Sequence, residues 1–253
     1  FCCFFWFFFL NEHLFRFLNI RHPRDYNTVP RLLFWAFHLL WLFPWSAYFP
    51  SVAKLEFGRN SLAGRTRVLS LCWAGFLLVF FSFSTTQEYY SMPAYPALAL
   101  LLGGAVARRE RWFRRATRIL GVLTALVAGL LAAILFAVRD MPAPGDISRA
   151  LTLNPDAYTL SLGHMQDLTL PAFAYLKLPL AVAVLAFAVG TAGAWWRKGR
   201  FSMPALALML VIFTHAARLA LVVFDPYLGS RPLAEAIRQA PKGEIVFDNQ
   251  HYA

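Results

Sequence analysis

A chain of 253 residues that is 59% hydrophobic and 17% aromatic, with mean hydropathy +0.52, exceeds the roughly 45–50% apolar usage of soluble domains, which excludes an ordinary water-soluble fold. Its 24 Lys and Arg outnumber 13 Asp and Glu for a net charge of +11, and its three cysteines (Cys2, Cys3, Cys72) lie in apolar runs without metal-like spacing and imply no disulfide framework. The basic excess needs no nucleic acid, because it is concentrated in short segments between long apolar runs.

Residues 1–10 (FCCFFWFFFL) read as the exit of a membrane helix, with no basic n-region or small-residue cleavage site of a signal peptide. The chain starts at Phe1 and stops at Ala253, and both ends are expected to be cuts in a longer protein. Residues 11–28 are polar and partly amphipathic, with Leu14, Phe15, Phe17 and Leu18 at helical spacing for an interfacial segment. A first full span is predicted over 29–49, followed by the basic loop 50–67 and a second span at 68–86.

A short turn, Gln87–Ser91, precedes a third span at 92–107, about 24 Å long, with Pro93 and Pro96 in its first turns. A fourth span follows at 117–138, then a polar loop at 139–170 with a weak helical stretch near Ala157–Met165. The fifth span, 171–196, carries an expected kink at Pro179 and an interfacial Trp195-Trp196 pair; the sixth, 202–224, is expected to end at Asp225-Pro226. Beyond it, Ser230 can cap a helix running to about Ala240, and Glu244–Asp248 reads as a strand after the Pro241-Lys242-Gly243 turn.

The predicted fold is therefore an all-α polytopic bundle of six membrane helices (29–224), preceded by an interfacial segment (1–28) and followed by the beginning of an α/β domain (225–253). Thirteen Lys and Arg fall in Lys54–Arg67, Arg108–Arg118 and Arg197–Arg200 against two acids, Glu56 and Glu110. The other polar segments hold eight basic and eleven acidic residues. Lys/Arg enrichment on alternate loops predicts that the basic loops are cytoplasmic and that both ends of the chain face outward.

Three polar groups then fall on the outer side. Glu12 and Arg16 are an i,i+4 pair with His13 adjacent; imidazole beside carboxylate is half a site for a divalent metal and Arg16 can grip a phosphate, while an interfacial salt bridge explains the same residues. Glu88, Tyr89 and Tyr90 precede the short third span, whose N-terminus is an anion-binding position, although tyrosines there also suit an aromatic belt. His215 and Arg218 share a face of the last span, and an intramembrane arginine marks a functional site or a side chain snorkelling to headgroups. His38 stands alone, and Lys177 is shallow enough to snorkel. Walker, dinucleotide, HExxH and nucleophile-elbow motifs are absent, as is a buried acid pair.

The stretches FFLNEHLFRFLNIRHPRDYNTVP, LLWLFPWSAYFP and QEYYSMPAYPALALLLG, with the closing DPYLGSRPLAEAI and GEIVFDNQHYA, resemble the middle and later part of bacterial family 39 glycosyltransferases. These are relatives of the lipid A aminoarabinose transferase and of protein O-mannosyltransferases. The resemblance implies a GT-C fold with a periplasmic C-terminal domain in the inner membrane, transferring a sugar from a polyprenyl-phosphate carrier to a lipid, glycan or protein acceptor without a nucleotide cofactor. It places the catalytic acids ahead of Phe1, Glu12 and His13 near a divalent metal, Arg16 on the carrier phosphate, and Tyr89 and Tyr90 in the sugar-phosphate pocket. Against the aminoarabinose-transferase pattern, Gln87-Glu88 loses a cation and gains an acid, which argues against that particular donor and acceptor. A transporter or flippase of lipid-linked sugars is the alternative, and would show paired broken helices in related halves.

Overall fold

The structure, a computed structural model, describes residues 2–22, 30–84, 88–109, 111–151, 169–196, 201–241 and 243. Among them all regular structure is helical and no strand occurs. The expected strand Glu244–Asp248, the Ala157–Met165 stretch and Gln87 lie outside the described residues. Five helices are long and apolar enough to cross a membrane, six if a bent pair counts as one span, and the chain is a multi-pass membrane protein. It divides into two compact units, Phe1–Thr117 and Arg118–Ala253.

The first unit opens with α1 (Cys2–Phe5), which continues as a π-helix over Trp6–Phe15. A π-helix of this length is rare, and shorter ones recur at functional sites. Helix α2 (Arg31–Trp41) is the first half of the predicted first span. The second half, a 3-10 turn at Trp45–Tyr48 running into α3 (Phe49–Val52), turns away by 98°. The span at 29–49 is thus broken and extends to Val52: Pro44 lacks the N–H that would continue α2, and its ring clashes with the preceding turn.

Helix α4 (Leu62–Phe83) starts about two turns before the apolar run suggests, because the Ser61 hydroxyl accepts from the Gly64 N–H at 3.0 Å and caps it. A 3-10 segment, Glu88–Ala94, contains Pro93 and leads into α5 (Tyr95–Ala107) with Pro96 in its first turn. Ala74 of α4 packs on Ala94, Ala97 and Leu98, small side chains that let the two helices approach closely. Leu55, between α3 and α4, buries against Leu101 and Ala105.

In the second unit, the body of α6 (Arg111–Ala137), α9 (Lys177–Trp195) and α10 (Ser202–Leu228) pack together, with short α7 (Ser148–Leu151) and α8 (Leu170–Ala174) at one end. Gly190 meets Met209 and Gly193 meets Ala205, so α9 and α10 run antiparallel, and a Cβ on either glycine would overlap the partner. Thr191 Oγ1 donates to Thr124 Oγ1 at 3.0 Å, tying α9 to α6. The fifth span breaks at Tyr175-Leu176, the turn ahead of Pro179, whose missing N–H and ring deny the Tyr175 carbonyl its helical partner; Pro179 itself sits buried in the first turn of α9. Lys177 Nζ does not snorkel but donates to the carbonyls of Arg139 (2.9 Å) and Met141 (2.8 Å), which follow α6. Helix α10 runs through Asp225-Pro226 to Leu228 and stops at Gly229, whose N–H donates to the Asp225 carbonyl at 2.8 Å. Helix α11 (Arg231–Gln239) then forms where the Ser230-Pro232 signal placed it.

Candidate functional site

The polar cluster of the first unit is built on the π-helix. Asn11 is fully buried, and its amide clamps the backbone of His22, donating to the His22 carbonyl at 2.7 Å and accepting the His22 N–H at 3.1 Å. That clamp folds residues 16–22 back along the helix and brings Arg21 to Glu12. Arg21 Nε donates to Glu12 Oε1 at 2.7 Å and Arg16 Nη1 to Oε2 at 3.2 Å, so one carboxylate organises two guanidiniums. Glu12 and Arg21 are mostly shielded, with side chains 18% and 9% exposed, whereas Arg16 is 31% exposed. Glu12 thus accepts from a cation on each of its oxygens. The i,i+4 pair forms as the sequence suggests; Arg21, nine residues away across a reversal, has no periodic signal.

His13 is exposed, its ring lies against Phe8 and Phe9, and its Nδ1–H donates to the Phe8 carbonyl at 2.6 Å. Both Glu12 oxygens accept from arginines, while the His13 Nδ1 faces the Phe8 carbonyl. Among the described residues no group of three or more His, Cys, Asp or Glu could hold an ion.

Ring contacts bring the second polar group to the same place. Phe17, next to Arg16, packs on Phe80 of α4 with centroids 5.2 Å apart, and Phe81 packs on Tyr90 at 5.5 Å. The arginine cluster and the start of the Glu88–Ala94 segment therefore flank the C-terminal end of α4. Backbone positions place Glu88 and Tyr89 on that segment; their side chains lie outside the described residues.

Beside it lies a buried polar chain that the sequence does not reveal. His38 Nδ1–H donates to the Phe34 carbonyl at 2.7 Å; since a carbonyl only accepts, the neutral ring presents Nε2 as an acceptor to the Ser91 hydroxyl at 2.6 Å. Tyr95 hydrogen-bonds the same serine. The only advance signal was a histidine in an apolar run, because its partner is 53 residues away.

The other end of α4 carries the basic loops. Arg108 donates to the Lys54 carbonyl at 2.7 Å and to Glu56 at 2.5 Å, and Arg67 donates to the Glu56 carbonyl at 3.2 Å. Arg108 beside it holds the exposed Glu56 carboxyl below the ordinary glutamate range. The first two basic loops thus meet at one end, opposite the Glu12–Arg16–Arg21 cluster.

In the second unit, His215 and Arg218 are both exposed on α10, and Arg218 has no hydrogen-bond or ion-pair partner among the described residues. The neighbouring Ala216 is buried, so these two polar residues occupy the outward face of the helix. No family model, curated protein or solved structure matches the chain.

Proposed function

We propose that the chain is part of a membrane glycosyltransferase that takes a sugar from a polyprenyl-phosphate carrier at the outer face of a bacterial inner membrane. The observation that carries this reading is the gathering of Arg16, Arg21 and Tyr90 with the start of the third span at one end of α4, while the basic loops occupy the other end. Guanidiniums next to oriented helical N–H groups suit a phosphate leaving group, and the partly exposed Arg16 can reach it. The apolar, aromatic outer surfaces of α2 and α4, including Trp35 and Phe76, suit a polyprenyl tail.

In this reading Arg16 contacts the carrier phosphate, Glu12 and Arg21 fix its position, and Glu88, Tyr89 and Tyr90 line the sugar side. Arg218, exposed on α10 of the second unit, is a separate candidate for carrier binding. A divalent ion at Glu12 and His13 would share the carboxylate with two arginines, and no step is assigned to one. The resemblance puts the acids that activate the acceptor ahead of Phe1, and an α/β periplasmic domain after α11.

Transport is the second reading, favoured by the 98° break between α2 and the Trp45–Val52 segment, since broken helices line transporter sites. The first unit holds two interrupted elements, that pair and the Glu88–Ala94 segment, and the second holds the Tyr175-Leu176 break between α8 and α9. The test is sugar release from a polyprenyl-phosphate donor by the full-length protein in proteoliposomes. Arg16→Ala and Arg218→Ala should each lower turnover by about 100-fold or more, as for loss of other oxyanion-stabilising donors. Unchanged turnover in both variants rejects the assignment, and movement of intact donor without sugar release selects transport.

A further inference from the structure

A second basic feature lies at the opposite end of the first unit. A cleft of about 650 Å3 is lined by Pro50, Lys54, Arg111, Trp112 and Arg115, within the range of small-ligand sites. Its walls are fixed from behind. Trp112 Nε1 donates to the Ala47 carbonyl at 3.0 Å, the buried Tyr48 hydroxyl bonds Thr117 Oγ1 at 3.0 Å, and the Tyr48 ring stacks on Phe113 with centroids 5.4 Å apart. The start of α6 is thereby pinned to the Trp45–Tyr48 turn, holding the indole in place, while Arg111 and Arg115, four apart, lie on one helix face.

Lys54, Arg111 and Arg115 are exposed, and none of their side-chain nitrogens has an ion-pair or hydrogen-bond partner among the described residues. Glu56 does not serve them, because Arg108 holds its carboxylate. Three cations around a preformed concavity, with an indole at the rim, match a single phosphodiester of a lipid whose acyl chains remain in the bilayer. We infer that this cleft is a headgroup site for an anionic phospholipid, separate from the carrier site and independent of the proposed transfer reaction.

Native mass spectrometry of the full chain, released from nanodiscs of mixed phosphatidylglycerol and phosphatidylcholine, reads the retained lipid. Wild type should retain phosphatidylglycerol selectively, and Arg111→Ala/Arg115→Ala should weaken that retention about tenfold or more. Arg59→Ala/Arg65→Ala, which removes equal charge from the same end outside the cleft, should leave it within about twofold. Equal losses in the two double variants, or none in the first, would overturn the site. Displacement of the lipid by millimolar inorganic phosphate would equally overturn it, by showing a small-anion site instead. The substituted arginines are exposed, so the variants should fold; melting within a few degrees of wild type checks that.

Discussion

His38 and Ser91, 53 residues apart, share a buried hydrogen bond of 2.6 Å that fastens the first half of the broken span to the entry of α5. Its energetic weight follows from its surroundings. Transmembrane polar pairs couple by about 0.6 kcal/mol on average and up to about 1.7. A double-mutant cycle with His38→Phe and Ser91→Ala, read by unfolding in bicelles, should give coupling of that size. Additive losses would mean that the two groups do not interact.

Glu12 is predicted to act as the organiser of Arg16 and Arg21. Glu12→Gln removes the carboxylate that accepts from both guanidiniums in a partly shielded site, and should cost about 1–3 kcal/mol of stability. Arg21→Ala should cost less in the Glu12→Gln background than in wild type, because the ion pair it would break is already gone. Thermal denaturation of the two single variants and the double variant checks both the sign and the coupling.

The glycines of α9 differ in kind from those exposed elsewhere. Gly193→Ala drives a methyl into Ala205 and should destabilise the α9–α10 pair by about 1–3 kcal/mol. Gly129→Ala, with open space around it on α6, should be neutral or stabilising by up to about 1 kcal/mol. Equal melting temperatures for the two variants would contradict the close antiparallel contact.

Titration of Glu56 should follow its contact with Arg108. The folded pKa is depressed, so the pair's contribution is present above the unfolded value of about 4.3 and lost as pH falls through the lower folded value. The pair is exposed, and its effect on stability is correspondingly small. Carboxyl NMR should show the Glu56 midpoint below that of a model glutamate, and Arg108→Ala should raise it. A midpoint indifferent to Arg108 would remove the contact joining the first two basic loops.

Long apolar runs were legible because one property, length of continuous hydrophobicity, decides them: α4, α5, α6 and α10 cover the runs, although α4 and α6 begin about two turns earlier and α10 ends a turn later. Breaks within runs were less legible. Pro44 carried the signal for the bend after Trp41, yet the surrounding residues are as apolar as those of a straight helix. The break at Tyr175-Leu176 was signalled by Pro179, four residues on, but the proline shows a disruption without telling a kink from a full break. In the site, the Glu12–Arg16 pair follows from helical spacing, but Arg21 and Ser91 reach their partners through a chain reversal and a helix packing that local spacing does not encode.

The arrangement stands on the two ends of α4 facing opposite aqueous compartments. Cysteines introduced singly as Ile20→Cys, Met92→Cys, Arg59→Cys and Arg114→Cys, all at exposed positions, can be labelled with a membrane-impermeant maleimide in sealed vesicles of known orientation, with Cys2, Cys3 and Cys72 replaced by alanine. Ile20→Cys and Met92→Cys should react from the outer side alone, and Arg59→Cys and Arg114→Cys from the cytoplasmic side alone. Reaction of Ile20→Cys and Arg59→Cys from one side would contradict the account.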